Sequence, residues 1–577
     1  MFTKIRIENF KRLGDIEIEL GQAVVFIGPN NSGKTSALQA LALWETGLRT
    51  WLAKRGVQET TKKRSGVTIN RKDLIALTAP DAKLLWRNLH VRDVSRGDDG
   101  KQKTRNVLIR ITVEGVSEGQ VWRCGLEFDY ANSEALFCRP LLQNDGERIA
   151  IPAAARAARV AFLPPMSGLA SVEPKLEPGR INVLIGEGQT AQVLRNLCWR
   201  LYSEGELSRA WDPLVKHIKD LFGVTLQPPQ YNPLRGEITM SYREYNVELD
   251  LSSAGRGLQQ TFLLLAYLYA NPKTALLLDE PDAHLEILRQ RQIYKMVNDI
   301  AKEQGGQIIA ASHSEVVLNE AAGKDVVIAF VGHPHRLNDK DRGNQVLKSL
   351  QTIGFDQYYL AEEKGWVLYL EGSTDLAILQ AFAKRLSHPA NVFLSDAFVH
   401  YVATNLPNRA RDHYYGLREA KPDLRGLAIF DRLSSPLEDS GGLSEMMWQR
   451  REIENYLCYE DTLLAFARHS EQDDLFILAE AEHRVEIMKE CINCIRESLA
   501  NLDKPLPWSA DIKSTDDFLN PLFKLYFNKL ELPASNLSKS NYHQLAEFLP
   551  MELIDPEIGE KLDKVVEVAQ QAKKPIN

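Results

Sequence analysis

The chain opens on strict alternation of apolar and polar residues. Ile5-Arg6-Ile7-Glu8-Asn9-Phe10 and Ile16-Glu17-Ile18-Glu19-Leu20 put every second side chain on one face, the period of a half-buried strand. Ala23-Val24-Val25-Phe26-Ile27 is apolar throughout, which predicts a strand buried on both faces. A helical pattern begins at Ser36-Ala37-Leu38-Gln39-Ala40-Leu41. Further along, short apolar runs at 275–278, 307–312, 366–370 and 427–430 predict buried strands. Longer patterns at 190–201, 261–270 and 376–386 predict helices between them. Strands interleaved with helices give an α/β architecture with parallel sheets.

At 577 residues the chain exceeds one core, so about two to four domains are expected. The division predicted is a first domain over 1–350 and a second over 360–577, with a mostly helical C-terminal part. The first is interrupted at about 45–105 and 153–235. Neither insertion sustains heptads, which argues for short helical arms rather than long coiled coils. The polar passage 332–342 marks the approach to the second domain, and 347–360 is read as the connector.

Composition narrows the class. With 44% apolar and 25% charged residues the chain reads as soluble and globular. No apolar run spans a bilayer and no leader is visible, so a cytoplasmic setting away from membranes is expected. Six cysteines do not suggest a disulfide framework, and Cys491-Ile-Asn-Cys494 has no second pair to complete a zinc site. Net charge is −7, yet residues 49–110 hold 16 Lys and Arg against 6 Asp and Glu, including Lys62-Lys63-Arg64 and Arg71-Lys72. Such a segment fits either a polyphosphate backbone or a solvated insertion.

Between the buried strand and the first helix lies Gly28-Pro29-Asn30-Asn31-Ser32-Gly33-Lys34-Thr35, then Ser36. Glycines let backbone N–H groups turn inward around phosphates, and the helix start offers them partial positive charge. Lys34 then reaches the terminal phosphates and Thr35 holds Mg²⁺. The run 275–278 ends in Asp279-Glu280, which places Asp279 near the metal and Glu280 by the attacking water. The run 307–312 ends in His313, placed to meet the γ-phosphate. Leu251-Ser252-Ser253-Ala254-Gly255-Arg256-Gly257 precedes the 261–270 helix as a second anion site. Ser253 and Gly255 would act on the nucleotide of another subunit, while a helix cap by Ser252 or Ser253 is equally sound.

This order of phosphate loop, LSSAGRG, LLLDEPDAHLE and ASHSE resembles the ABC-type ATPase heads of the RecF/SMC class, and the opening hairpin is similar to theirs. The resemblance implies ATP with Mg²⁺ and a head-to-tail homodimer.

In the second domain, the 366–370 strand ends in Glu371-Gly372-Ser373-Thr374-Asp375, and the 427–430 strand in Asp431. A third acidic group is Glu452-Ile453-Glu454. Acids at adjacent strand ends can converge on divalent metal and activate water against a phosphodiester, though acids after strands also serve as turns and caps. The EGSTD segment and the later strand ending in Asp resemble a Toprim domain. Toprim domains show Asp-x-Asp where this chain has Asp431-Arg432-Leu433, so Glu452 or Glu454, or Glu438 or Asp439, would supply the second acid. The fusion is similar to the OLD (overcoming lysogenisation defect) family, and to Gabija and PARIS defence proteins.

The resemblance implies Mg²⁺ or Mn²⁺ held by Glu371, Asp375, Asp431 and Glu454, with Glu371, Asp431, Glu452 and Glu454 in catalysis. It also implies cleavage of nucleic acid, DNA or tRNA, in anti-phage immunity, released by a phage-derived trigger. Two alternatives stay open: an ATP-driven sensor or scaffold with a chemically inert Toprim part, and a RecF-type repair ATPase.

Overall fold

The computed structural model describes residues 1–56, 66–74, 77, 79–96, 102–142, 147–322, 324–337, 353–434, 436–437, 441–469, 475–531 and 537–573. Lys62-Lys63-Arg64, residues 338–342 of the polar passage, residues 347–352 of the expected connector, Glu438 and Asp439 lie outside them. The chain divides into two compact units, Met1–Leu347 and Lys348–Ile576.

The first unit is built on two sheets. The alternating N-terminal segments form the hairpin Phe2–Phe10 and Leu13–Glu19, part of an antiparallel sheet with Ile109–Ser117, Gln120–Asn132, Ala135–Pro140 and Val67–Asn70. The all-apolar runs build the other sheet, ordered Val160–Leu163, Ala275–Asp279, Gln307–Ser312, Ala23–Ile27, Val326–Ala329 and His335–Arg336. Its first five strands are parallel. Their alternation is read by two cores. Leu277, Ile309 and Ala311 face the helix Lys34–Arg55 and the antiparallel sheet, whereas Leu276, Leu278, Ile308 and Ala310 face the helix Arg256–Ala270 and its neighbours. Both faces are covered, which is why these strands carry no polar alternation.

Two expectations are corrected. The first insertion, expected from about residue 45, opens later: the helix runs on to Arg55, with Trp44 wholly buried, its ring 5.7 Å from Phe2 and its Nε1 donating to Cys124 O. The described part of that insertion adds a strand, Val67–Asn70, to the antiparallel sheet and a separate hairpin, Arg92–Arg96 with Gln102–Asn106, in place of a helical arm. The second insertion is largely helical, with Pro178–Gly186, Leu194–Ser203 and Trp211–Phe222 packed in one core with Arg256–Ala270.

The second unit carries a parallel four-stranded sheet ordered Val399–Tyr401, Trp366–Leu370, Arg425–Phe430 and Leu443–Met447. Leu368, Leu370, Leu427 and Ile429 join one core with the helical tail, including Leu475–Asn501, Asn520–Lys529 and Pro556–Gln571. On the opposite face Tyr369 Oη stands 3.0 Å from His413 Nδ1, and the rings of His400 and His413 stack 3.7 Å apart. Among the described residues no helix is long and apolar enough to cross a membrane.

Leu277 is fully buried and Leu288 is 76% exposed. Leu277→Ala is expected to lower stability by about 2–5 kcal/mol and Leu288→Ala by less than about 0.5 kcal/mol in denaturant titrations. Burial, helped by the charge of His400, pushes His413 down to about 3 from an unfolded value near 6.5. A depressed base favours folding above its unfolded value and loses that contribution as pH falls toward the folded one. The unfolding midpoint should therefore drop between pH 7.5 and 5, and the drop should be smaller in His413→Phe.

Candidate functional site

Parallel register brings three strand ends to one edge of the first unit's sheet. Asp279 pairs with Ala311, and Ser312 with Ile27, so the phosphate loop, the Asp279-Glu280 tip and the Ser312-His313 tip are neighbours. Gly28, Ser32, Gly33, Lys34 and Ser36 are partly or wholly enclosed, while Asn30, Asn31 and Thr35 are exposed. Asn31 and Gly33 have φ of 61° and 106°. A Cβ on Gly28 would come 2.7 Å from Phe330 O, and one on Gly33 3.0 Å from Leu13, so the loop path requires both glycines.

Lys34 is buried, and its Nζ donates to Gly28 O at 2.6 Å and Pro29 O at 2.8 Å, spanning the loop from within. Burial pushes its ammonium down, while Glu280, Asp279 and Asp282 pull it back up. Thr35 Oγ1 donates to Asp279 Oδ1 at 3.0 Å, which joins the loop to the acidic strand at the position a Mg²⁺ ion would share. Burial is the main cause that raises Asp279 to about 6; Glu280 adds to it, and Thr35 and Lys34 oppose it. Ser32 Oγ is buried without a hydrogen-bond partner among the described residues, as a donor meant for phosphate would be.

Glu280 takes a left-handed backbone (φ 50°), with its N–H donating to Ala311 O at 2.9 Å. Its Oε1 lies 3.6 Å from His313 Nδ1, so the two candidate reacting groups face each other. Asp282, in the same LLLDEPDAHLE segment, is a further acid of this site that its motif did not mark. It is 6% exposed, burial raises its carboxyl, and Oδ1 has no hydrogen-bond partner among the described residues. The sequence signal was its place directly after the Asp-Glu-Pro.

Ser253 and Gly255 are both exposed. The helix begins at Arg256, earlier than the apolar run suggested, and its cap is Gly255 with no capping side chain, rather than Ser252 or Ser253. Ser252 instead donates from N and Oγ to Asp250 Oδ1.

In the second unit Glu371 and Asp431 directly follow two neighbouring parallel strands. Glu371 is exposed, and Asp431 is partly buried. Burial above all, then the charges of Asp375, Glu454, Glu371 and Glu452, raise Asp431 to about 8. Glu454 is 2% exposed and raised to about 7 by burial first and Glu452 second. Its Oε1 has no hydrogen-bond partner among the described residues, and Lys539 Nζ is 3.9 Å away. The tail thus brings a cation to the acids, which no local motif announced.

Two acids expected at a metal have other work. Asp375 Oδ2 accepts from the N–H groups of Glu371 and Gly372, closing the start of the helix Ser373–Arg385. Glu452 caps the turn Ile453–Tyr456 and accepts from Thr515 N at 2.5 Å. Among the described residues no three His, Cys, Asp or Glu side chains form a group able to hold a metal ion. The acids of the second unit share an electrostatic field in this arrangement, without a common ligand sphere.

Residues 1–73 match the family described as AAA ATPase domain, and residues 200–319 match the family described as AAA domain, putative AbiEii toxin, Type IV TA system. No curated protein matches the chain. Among solved structures it is similar to the SMC head domain from Thermotoga maritima, with 13% identity, a TM-score of 0.30, and coverage of 59% of this chain and 99% of that one. It is also similar to the Smc head domain with an extended coiled coil bound to the C-terminal domain of ScpA, from Pyrococcus furiosus, with 12% identity, a TM-score of 0.34, and coverage of 61% and 99%. A third is the recombination mediator protein RecF of the RecFOR pathway, with 12% identity, a TM-score of 0.33, and coverage of 58% and 98%. The phosphate loop and the Asp279-Glu280 tip therefore both lie in stretches that match AAA-type ATPase domains.

Proposed function

We propose that the chain is an ATP-regulated, metal-dependent nuclease of the kind found in phage defence, acting on DNA or tRNA. ATP occupies the first unit. Lys34 moves from the loop carbonyls to the terminal phosphates, and Thr35 and Asp279 would hold Mg²⁺, which would supply charge neutralisation at the phosphates. Glu280 accepts a proton from the water that attacks the γ-phosphorus, and ADP leaves. His313 lies beside Glu280 and senses the same phosphate. Ser253 and Gly255, exposed at an uncapped helix start, close on the nucleotide of a second copy.

One observation carries the nuclease reading. Glu371 and Asp431 stand at the ends of adjacent parallel strands beside the buried Glu454, whose Oε1 lacks a partner among the described residues. Burial first, and the neighbouring carboxylates after it, raise Asp431 and Glu454, and a bound divalent cation would offset both causes. When bound, the cation activates water and steadies the leaving oxygen. Turning the exposed Glu371 toward Asp431 and Glu454 would build the ligand set, and Lys539 would meet the phosphate backbone. The sensor or scaffold reading draws on a different observation: Asp375 and Glu452 are spent on capping.

Lys34→Ala is expected to abolish binding of a fluorescent ATP analogue. Glu280→Gln should keep binding and slow hydrolysis by about 10²- to 10⁴-fold in single-turnover assays. With Mn²⁺, the full chain should cut supercoiled DNA or total tRNA, and Glu371→Gln should stop cutting while nucleotide binding stays intact. Mn²⁺ should raise the melting temperature of the parent chain and not of Asp431→Asn. Failure of both Mn²⁺ effects in folded protein would leave the scaffold reading.

A further inference from the structure

A buried ion network lies outside both sites. Glu173 is 0% exposed, Arg195 1% and Asn196 2%. Glu173 accepts from Arg195 N at 2.9 Å and from Asn196 N at 2.6 Å and Nδ2 at 2.8 Å, which satisfies the first turn of the helix Leu194–Ser203. The Arg195 guanidinium donates to Ala170 O at 2.7 Å, and its other arm donates to Asp250 Oδ1 at 3.2 Å. That same Oδ1 accepts from Ser252 N at 2.8 Å and Ser252 Oγ at 2.6 Å. Burial works against the Asp250 carboxylate, yet Ser252 and Arg195 hold it below its usual range.

On the inner side of the segment, the buried Gln259 donates to Ala254 O at 2.9 Å. The segment Leu251–Gly255 is thus gripped from both sides, while Ser253 and Gly255 themselves stay exposed. A fully enclosed guanidinium is weak support for stability, since apolar residues of like volume do as well. Its value lies in fixing one arrangement, and among the described residues the exposed group it fixes is Asp250.

We propose that Arg195 is a positioning residue, which sets the Ser252–Gly255 segment through Asp250 so that it can close on the nucleotide of a second copy. The inference rests on the head-to-tail closure given above. It makes the helical insertion the mould for the segment, so that strain on the helix Leu194–Ser203 would be felt at the ATP of the other protomer.

The test uses the full chain carrying Glu280→Gln, so that ATP is retained, with ATP-dependent self-association followed by sedimentation velocity. Asp250→Asn keeps an acceptor for Ser252 but drops the charge, and its side chain is half exposed, so folding is preserved even if Arg195→Met does not fold. Both variants should weaken ATP-dependent association about tenfold or more. Asp250→Asn should melt somewhat lower yet stay folded at the assay temperature, its affinity for a fluorescent ATP analogue should stay unchanged, and with Glu280 restored kcat should fall at constant KM. Ser253→Arg should abolish association. If Ser253→Arg does so while Asp250→Asn and Arg195→Met associate normally, the positioning role is overturned and closure stands. If Ser253→Arg also associates normally, closure itself falls and the inference with it.

Discussion

Parallel register is the constraint on which the first unit turns. Because Ala275–Asp279, Gln307–Ser312 and Ala23–Ile27 run side by side in one direction, three different loops leave the sheet at the same edge. A parallel sheet is stable only when both faces are covered, and the two cores supply that cover. Packing and chemistry are therefore one problem. The residues that bury Leu277 and Ile309 also fix where Lys34, Asp279 and His313 meet. The second unit repeats the arrangement on a smaller scale, with Glu371 and Asp431 at the ends of adjacent parallel strands.

The two sites differ in how their charges are balanced. In the first, Lys34 sits among Asp279, Glu280 and Asp282, and the opposing pulls leave a mixed field. In the second, the charges of Asp375, Glu454, Glu371 and Glu452 all push Asp431 the same way, and Lys539 Nζ lies 3.9 Å from Glu454 Oε1. Such an imbalance is costly in a buried setting. It persists because surrounding structure holds it, as where the Thr515 N–H donates to the Glu452 carboxylate.

Local signals were legible where local physics dominates. The alternating hairpin, the apolar strands and the phosphate loop could be read directly, since strand period and glycine backbone freedom act over a few residues. The full length of the helix Lys34–Arg55 was not legible, because the burial of Trp44 depends on Phe2 and on Cys124, far from it in sequence. Strand-tip acids could be placed, but their roles could not. Whether Asp375 or Glu452 faces a metal or caps a helix is decided by neighbours such as Thr515 that sequence distance hides. Lys539 near Glu454, and Arg195 near Asp250, are long-range pairs of the same kind.

The left-handed backbone at Glu280 has a consequence for how this chain could change over time. That conformation costs a side-chain-bearing residue about 1–2 kcal/mol, and glycine almost nothing. Drift at this position thus has a downhill path, to a residue that relaxes the peptide and deletes the carboxylate in one step. A lineage that kept glutamate there would be one in which turnover, and not merely tight nucleotide retention, was under selection.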